Sequence, residues 1–181
     1  RATVWINGRM AGEHEGGSVP FGFDITPLLR PGTNWLVVRA EDQPSDRYQP
    51  RGKQYWELKP RGIFYTRTSG IWQPVWLEAT GESYLESAHI RPANDGVVRF
   101  DVRIADPAPG LEFRATIHAA GQVLATVSSP VAGDRLSAAA QTPNPRLWSP
   151  DSPNLYDVTF ELRRAEQVVD RVSSYFGFRT V

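Results

Sequence analysis

The sequence has no cysteine and only three histidines among its 181 residues. The lack of cysteine excludes disulfide bonds, thiolate nucleophiles, iron–sulfur clusters and cysteine-ligated zinc. We therefore predict neither a metal site nor a cofactor in this chain. The missing cysteines do not decide between compartments, so the localisation stays unknown, with the bacterial cytoplasm and export both open.

The sequence also lacks net charge and long apolar runs. Twenty Lys and Arg residues balance twenty Asp and Glu residues, so the overall charge favours neither nucleic acid nor a membrane surface as a partner. No stretch approaches the roughly 20 apolar residues of a membrane span. We expect a soluble globular protein. The chain begins with Arg1-Ala2-Thr3, which is neither a start methionine nor a signal peptide, and we expect it to be a piece of a longer protein.

Helical periodicity is missing as well. Fifteen glycines and fifteen prolines are spread along the chain, and no long window places apolar residues at i, i+3, i+4 and i+7. Apolar and polar residues instead alternate as in half-buried antiparallel strands, most clearly over residues 98–104, 111–118 and 156–163. The sequence therefore predicts an all-β protein.

A shift in composition divides the chain. Five of the six tryptophans precede residue 83, and we predict one domain over residues 1–83 and a second over residues 84–181. The second domain has the size and the strand count of an immunoglobulin-like β-sandwich. Its strand candidates are residues 84–92, 97–105, 111–119, 122–129, 134–141, 155–164 and 167–176.

The first domain begins with a hairpin signal. Val4-Trp5-Ile6 precedes Asn7-Gly8, a pair that suits the positive φ angles of a type I′ turn. Residues 24–29 predict a single helical turn, capped by Thr26 and with Pro27 as its first residue. A strand over residues 35–41 leads into a loop over residues 42–62, and a loop of this length is often functional.

Several stretches resemble one enzyme family. They are HEGGSVPFGFDIT at residues 14–26, NWLVVR at 34–39, QPRGKQ at 49–54, SGIWQPVWLE at 69–78, LWSPDSPNLY at 147–156 and YFGFR at 175–179. By these motifs the chain resembles two consecutive domains of glycoside hydrolase family 2, which includes β-galactosidases, β-glucuronidases and β-mannosidases. The first is a sugar-binding jelly roll and the second is immunoglobulin-like.

The resemblance implies a partial jelly-roll sandwich followed by an immunoglobulin-like sandwich. The first domain has roughly five strand candidates where a jelly roll has about eight, so we expect a truncated sheet edge near residues 2–14 through which the chain could self-associate. In the family, the two catalytic glutamates of the retaining mechanism lie in a (β/α)₈ barrel that would follow residue 181. We therefore assign no catalytic residue here and expect the chain alone to be inactive.

Other polar residues give little sign of catalysis. Retaining hydrolysis needs two carboxyl groups roughly 5 Å apart, and nothing in the sequence brings Asp46 and Glu57 together. Asp42 ends a strand and is expected to cap the loop backbone. His14 is expected to make a structural hydrogen bond, and no triad spacing supports Ser69 as a nucleophile.

The segment 47–67 is rich in both cations and aromatic rings. It holds six Lys or Arg residues against the single acid Glu57, and such a strip suits either sugars or nucleic-acid bases. Because the family motifs run through it, we predict sugar binding by Arg51, Lys53, Gln54 and Trp56. Alternatively, Arg51 and Lys53 pair with acids of the barrel, and Trp56 fills that interface.

The sequence thus predicts an accessory region of a family 2 β-glycosidase, with a carbohydrate and the barrel as its partners. A stand-alone carbohydrate-binding or adhesion module, and less so a nucleic-acid binder through residues 47–67, are the alternatives. Trp72, Trp76 and Trp148 are expected to lie in the core of a sandwich or of a domain junction. Tyr156 is expected to hydrogen-bond a backbone group at a corner of the second sandwich.

Overall fold

The computed structural model describes residues 1–179, which form ten β-strands and one short 3₁₀ turn. All strand pairs are antiparallel, so the predicted all-β fold class is confirmed. The chain divides into two units, residues 1–76 and the residues from Leu77 onward. Across the described part of the chain, no helix is long and apolar enough to cross a membrane.

The first unit contains one three-stranded sheet. Strands β1 (Ala2–Ile6), β2 (Arg9–His14) and β3 (Leu36–Ala40) lie in the order β2-β1-β3. Asn7 and Gly8 have φ angles of 52° and 81°, which confirms the predicted turn with two positive φ angles. The side chain of Asn7 also binds the carbonyl of Leu28 and the side chain of Asn34, which fixes the hairpin against the chain that leads into β3.

The helical turn is present, but its cap differs from the prediction. The turn spans Thr26–Leu28 with Ile25 in the N-cap position, and the backbone N–H of Thr26 donates to the Asp24 carboxylate at 2.9 Å. Thr26 is therefore the first helical residue and receives the cap rather than supplying it. Hydrogen bonds from Thr26 hold the pKa of Asp24 below its ordinary value.

The expected number of strands in the first unit was wrong. The described residues before 83 form three strands and not five, since residues 41–82 contribute no strand apart from one isolated bridge. In addition, β1 is paired on both sides, so residues 2–6 form the middle of the sheet. Its edges are β2 and β3, so the expected sheet edge near residues 2–14 is present at β2, and self-association through it stays a prediction.

The second unit is a sandwich of two antiparallel sheets. The predicted strands are all present: β4 (Tyr84–Pro92), β5 (Val97–Ala105), β6 (Leu111–Ala119), β7 (Gln122–Pro130), β8 (Arg135–Gln141), β9 (Tyr156–Arg164) and β10 (Gln167–Phe176). One sheet has the order β4-β5-β8 and the other β10-β9-β6-β7. The alternation in the sequence forms these strands because every second side chain turns inward.

The core of the second unit lies between its two sheets. Phe160 packs with its ring centroid 5.4 Å from that of Phe100 and 5.9 Å from that of Phe113, and all three side chains are at most 1% exposed. Because residues 1–179 hold no cysteine, packing and hydrogen bonding stabilise this sandwich without a disulfide.

A hydrogen bond closes the corner before β9. The backbone N–H of Arg146 donates to the hydroxyl of Tyr156 at 2.7 Å, which confirms the predicted tyrosine contact. Tyr156 also packs against Phe176 and Phe178. The neighbouring Trp148 is half-buried, with the guanidinium of Arg179 5.1 Å from its ring centroid.

The other two tryptophans assigned to a core are exposed. Trp72 and Trp76 are 71% and 60% exposed, and the segment around them is not a strand. Neither tryptophan therefore lies in a described core.

Candidate functional site

The candidate site is the segment 42–69, called the aromatic loop below. Its two ends are joined through Asp42, whose carboxylate accepts hydrogen bonds from Gln49 Nε2 at 2.7 Å and from Ser69 Oγ at 2.9 Å. Asp42 was expected to cap the loop backbone, and its two contacts are instead with side chains. This carboxylate holds the start of the loop to its end.

A second set of contacts fixes the middle of the loop. The N–H of Tyr55 donates to the carbonyl of Tyr65 at 2.9 Å, and the N–H of Tyr65 donates to the carbonyl of Lys53 at 2.8 Å. The side-chain oxygen of Gln54 accepts from the N–H of Thr68 at 2.7 Å. The loop therefore has a defined backbone although it lacks a regular ladder.

Aromatic side chains form a small core inside the loop. Tyr55 is 3% exposed, and its ring centroid lies 5.0 Å from that of Phe64 and 4.5 Å from that of Trp56. Arg61 Nε donates to the Tyr55 hydroxyl at 2.6 Å, so the buried phenol has a polar partner. This cluster supports the position of Trp56.

Two arginines surround Trp56. The guanidinium carbons of Arg47 and Arg51 lie 5.1 and 5.6 Å from its ring centroid, within the range of cation–π attraction. The carbonyl of Trp56 accepts from Arg67 Nη1 at 3.2 Å. Its indole N–H is buried and has no hydrogen-bond partner among residues 1–179. The ring of Trp56 therefore contacts two guanidinium groups and helps to position them.

Arg51 is held by backbone carbonyls. Its Nη2 donates to the carbonyl of Asp46 at 2.6 Å, and its Nη1 to the carbonyl of Pro44 at 3.5 Å. Within the described chain, neither Arg47 nor Arg51 forms an ion pair with a carboxylate. The loop therefore carries two oriented positive charges that a polar ligand could bind.

The structure separates the four predicted binding residues. Arg51 and Trp56 are in contact. The side-chain oxygen of Gln54 accepts a hydrogen bond from Thr68, and Lys53 is exposed. Arg47 also contacts Trp56, although it was not among the predicted binding residues. Its position in the same basic and aromatic strip could have indicated it. Tyr48 in that strip is 99% exposed, so its ring is accessible to a ligand.

The carboxylates considered for catalysis have local partners. Asp46 accepts from the N–H of Tyr48 at 2.9 Å, and Glu57 lies 3.6 Å from Arg61. Both side chains are exposed. Residues 1–179 contain no group of three or more His, Asp or Glu side chains suited to a metal ion.

His14 packs against an aromatic ring. Its imidazole stacks on Phe21 with centroids 4.4 Å apart, and its buried Nε2 has no partner in the described chain. The expected structural hydrogen bond of His14 is therefore absent at this nitrogen. The side chain contributes to packing beside Phe23, whose ring lies against Gly12 and leaves no space for a β-carbon there.

Comparison with known proteins gives a consistent result. The family model described as "Glycosyl hydrolases family 2" matches residues 83–179. A putative beta-glucuronidase of Formosa agariphila is 31% identical, and the alignment covers 99% of this chain and 17% of that protein. A beta-galactosidase of Thermoanaerobacter pseudethanolicus is 26% identical over 99% of this chain and 24% of that protein.

Solved structures agree with these sequence matches. The beta-glucuronidase of Bacteroides uniformis is 26% identical with a TM-score of 0.76, over 99% of this chain and 23% of that one. A glycosyl hydrolase family 2 member from Bacteroides cellulosilyticus has a TM-score of 0.78 at 22% identity, over 98% of this chain and 24% of that one, and this likeness supports the fold alone. The chain spans about a fifth to a quarter of the length of most of these proteins.

Proposed function

Because this chain belongs to glycosyl hydrolase family 2, we propose that it is a non-catalytic accessory region of a retaining β-glycosidase. Residues 1–83 would be part of a sugar-binding jelly roll, and residues 84–181 an immunoglobulin-like sandwich that buttresses the catalytic barrel. The relatives named beta-glucuronidase and beta-galactosidase support a β-glycoside as the substrate class.

The aromatic loop is the part of the chain that we propose to reach the sugar subsite. The observation that carries this proposal is the Trp56 cluster, in which the guanidinium groups of Arg47 and Arg51 lie against the ring and that of Arg51 is also held by backbone carbonyls. Guanidinium N–H groups in fixed positions can donate to sugar hydroxyls or to a carboxylate without a large ordering cost. Trp56 acts in this proposal as a positioning residue for Arg51.

The other loop residues would complete the contact. Lys53 is exposed and can reach a ligand as a flexible cation. The side-chain nitrogen of Gln54 remains a donor because only its oxygen is bound to Thr68. The exposed ring of Tyr48 can pack against the C–H face of a sugar.

The proposed lack of catalysis in this chain can be tested directly. The exposed positions of Asp46 and Glu57 favour ordinary solvated carboxylates over a catalytic pair. We expect the isolated chain to hydrolyse no chromogenic β-glycoside above the buffer blank. Turnover that is abolished by Glu57→Gln would contradict this expectation.

The role of the loop is tested in the whole enzyme. We expect Arg51→Ala and Trp56→Ala each to lower kcat/KM several-fold, on the order of 1 kcal/mol of transition-state binding, because a displaced guanidinium no longer orients the sugar. The melting temperature should stay within a few degrees. Lys59→Ala is the matched control, since this cation lies in the same loop and is exposed, and it should leave kcat/KM unchanged.

The alternative role of the loop gives a different result. If Arg51 and Lys53 pair with acids of the barrel and Trp56 fills that interface, Arg51→Ala and Trp56→Ala should lower the melting temperature of the whole enzyme. Unchanged kcat/KM in both variants would exclude the proposed contact with the sugar.

A further inference from the structure

The outward face of the sheet β4-β5-β8 carries an unusual arrangement of arginines. Strand pairing places Arg91 directly opposite Arg99, and Arg103 directly opposite Arg135. The row between these pairs consists of His89, Asp101 and Ser137, with Asp101 in the centre. These residues form the arginine face, and most of them line a hollow of about 650 Å³.

The two facing pairs of like charges are unfavourable for the sheet itself. Three acids offset them in part: Asp101 lies 2.9 Å from Arg91, Glu86 lies 3.3 Å from Arg103, and Asp134 lies 4.0 Å from Arg135. Arg99 has no ion pair with any described residue. The three paired arginines remain 49% to 74% exposed. Because exposed ion pairs contribute little free energy, another anion can replace the acid in such a pair.

On the other sheet of the same unit, by contrast, the charged side chains neutralise one another. Glu161 on β9 accepts hydrogen bonds from Arg171 at 2.6 Å and Arg163 at 2.9 Å, and the side chains of Glu161 and Arg163 are only 14% exposed. Partial burial raises the pKa of Glu161, but these hydrogen bonds outweigh that effect and lower it below its ordinary value. There the carboxylate lies between its cations, whereas on the arginine face the cations face each other.

The spacing of the two arginine pairs indicates an extended ligand. Arg99 and Arg103 are four residues apart on β5, which corresponds to about 13 Å along a strand. A single small anion cannot contact both pairs, but a chain molecule with repeated anionic groups can. Such a chain would cross the central row, where Ser137 Oγ donates to Asp101 Oδ1 at 2.7 Å. The remaining lone pairs of these two groups can accept hydrogen bonds from sugar hydroxyls.

We infer that the arginine face binds an acidic polysaccharide, with its carboxylate or sulfate groups on the two arginine pairs and its hydroxyls on Asp101 and Ser137. The central carboxylate disfavours a nucleic-acid phosphate backbone, and the face presents no Trp, Tyr or Phe for base stacking among its described residues. A peptide rich in Asp and Glu has the charge but lacks the hydroxyls that the central row would bind. The site lies outside the aromatic loop and does not depend on its proposed role.

The test uses the 181-residue chain and polygalacturonate, a carboxylated polysaccharide. The dissociation constant is measured from retardation in native gels that contain polygalacturonate, with neutral dextran as the reference polymer. We expect retardation by polygalacturonate alone, and weaker binding as salt is raised. In Arg99→Gln/Arg103→Gln, the dissociation constant should rise about tenfold, because two charge-assisted contacts are lost.

Arg164→Gln is the matched control, since Arg164 is an exposed arginine on the other sheet and its loss changes the net charge in the same direction. It should bind polygalacturonate like the unchanged chain. The melting temperature of the double variant should change little, because the loss of like-charge repulsion offsets the loss of the exposed ion pair between Arg103 and Glu86. If the double variant does not fold, Arg99→Gln alone decides the question, with an expected increase of about threefold.

Three results would overturn the proposal. The first is equal retardation of the unchanged chain by polygalacturonate and dextran. The second is an unchanged dissociation constant in both Arg99 variants. The third is tighter binding of polyglutamate or of oligodeoxythymidylate than of polygalacturonate, which would assign the face to an acidic protein or to a nucleic acid.

Discussion

The two units of this chain use similar residues in opposite ways. In the second unit, alternating side chains such as Phe100 and Phe160 are buried between two sheets and are at most 1% exposed. In the first unit, Trp35 is 67% and Trp72 is 71% exposed, because the described residues give its single sheet no second sheet to pack against. The comparison teaches that the alternating aromatic residues of a strand become core where a second sheet covers them, whereas the first unit buries Tyr55 only through a local aromatic cluster.

This difference affects the stability of the two units. A fully buried Phe contributes roughly 1.5–3 kcal/mol through removal of its surface from water, and the second unit holds several such residues. The aromatic loop has only the small cluster around Tyr55. We therefore expect the second unit to be the more stable of the two.

Hydrogen exchange should reveal the largest contrast between the two units. We expect amides of the central strands β5, β6 and β9 to exchange only through global unfolding. Amides of residues 42–82 should exchange through openings whose free energy is several kcal/mol lower, because this segment has few buried apolar contacts. The measurement is made peptide by peptide on a sample shown to be monomeric by light scattering. Uniform strong protection across both units would show that the first unit is self-sufficient.

Substitution of one aromatic residue in each unit measures the same contrast in free energy. Phe160→Ala should lower the free energy of unfolding by about 3–5 kcal/mol, since it leaves a cavity between the sheets. Trp72→Ala should cost about 1 kcal/mol or less, because it removes one hydrogen bond to the carbonyl of Gly17 from an exposed ring. Urea unfolding followed by circular dichroism gives both values, and similar losses would refute the comparison.

A turn of the second unit should also be sensitive to substitution. Gly96 has a φ of 89°, and a β-carbon there would overlap the carbonyl oxygen of Thr142. We expect Gly96→Ala to destabilise the chain by about 2–3 kcal/mol. Gly121→Ala is the control, since Gly121 has a similar φ of 77° but open space around it, and it should cost only about 1 kcal/mol. Equal losses would mean that backbone strain alone accounts for the effect.

The smallest expected effect concerns the corner of the second unit. Tyr156→Phe keeps the ring packed but removes the acceptor for the Arg146 N–H, so the free energy of unfolding should fall by about 1 kcal/mol. Tyr175→Phe, at a position that is 67% exposed, should have no measurable effect. A stable Tyr156→Phe variant would indicate that water replaces the lost partner.

The second unit could be predicted from the sequence almost strand by strand. Its apolar residues alternate without interruption, for instance from Val98 to Ile104, and turn residues such as Asn94-Asp95-Gly96 separate the strands. The expectation of a core position was wrong for Trp76, which is 60% exposed and lies outside the described strands. The cap of the helical turn was also wrong, because Asp24 and Thr26 are both good capping residues and only the backbone geometry distinguishes them.

The candidate site followed from the sequence only in part. The basic and aromatic strip identified the aromatic loop, but the contacts of Asp42 with Gln49 and Ser69 join residues that are far apart in the chain. The grouping of Arg47 with Arg51 on Trp56 depends on how the loop folds back. The facing arginines on β4, β5 and β8 could not be predicted, since the register between strands decides which side chains are opposite each other.

The sequence by itself determined the all-β class, the strands of the second sandwich, the hairpin at Asn7-Gly8 and the resemblance to family 2. These features depend on local backbone preference, a two-residue period and short motifs, which all act between residues close in the chain. Only the tertiary structure decided which tryptophans are exposed, which carboxylates hold the aromatic loop and which arginines face each other. Those outcomes depend on contacts between distant residues, and a sequence pattern does not specify which distant residues meet.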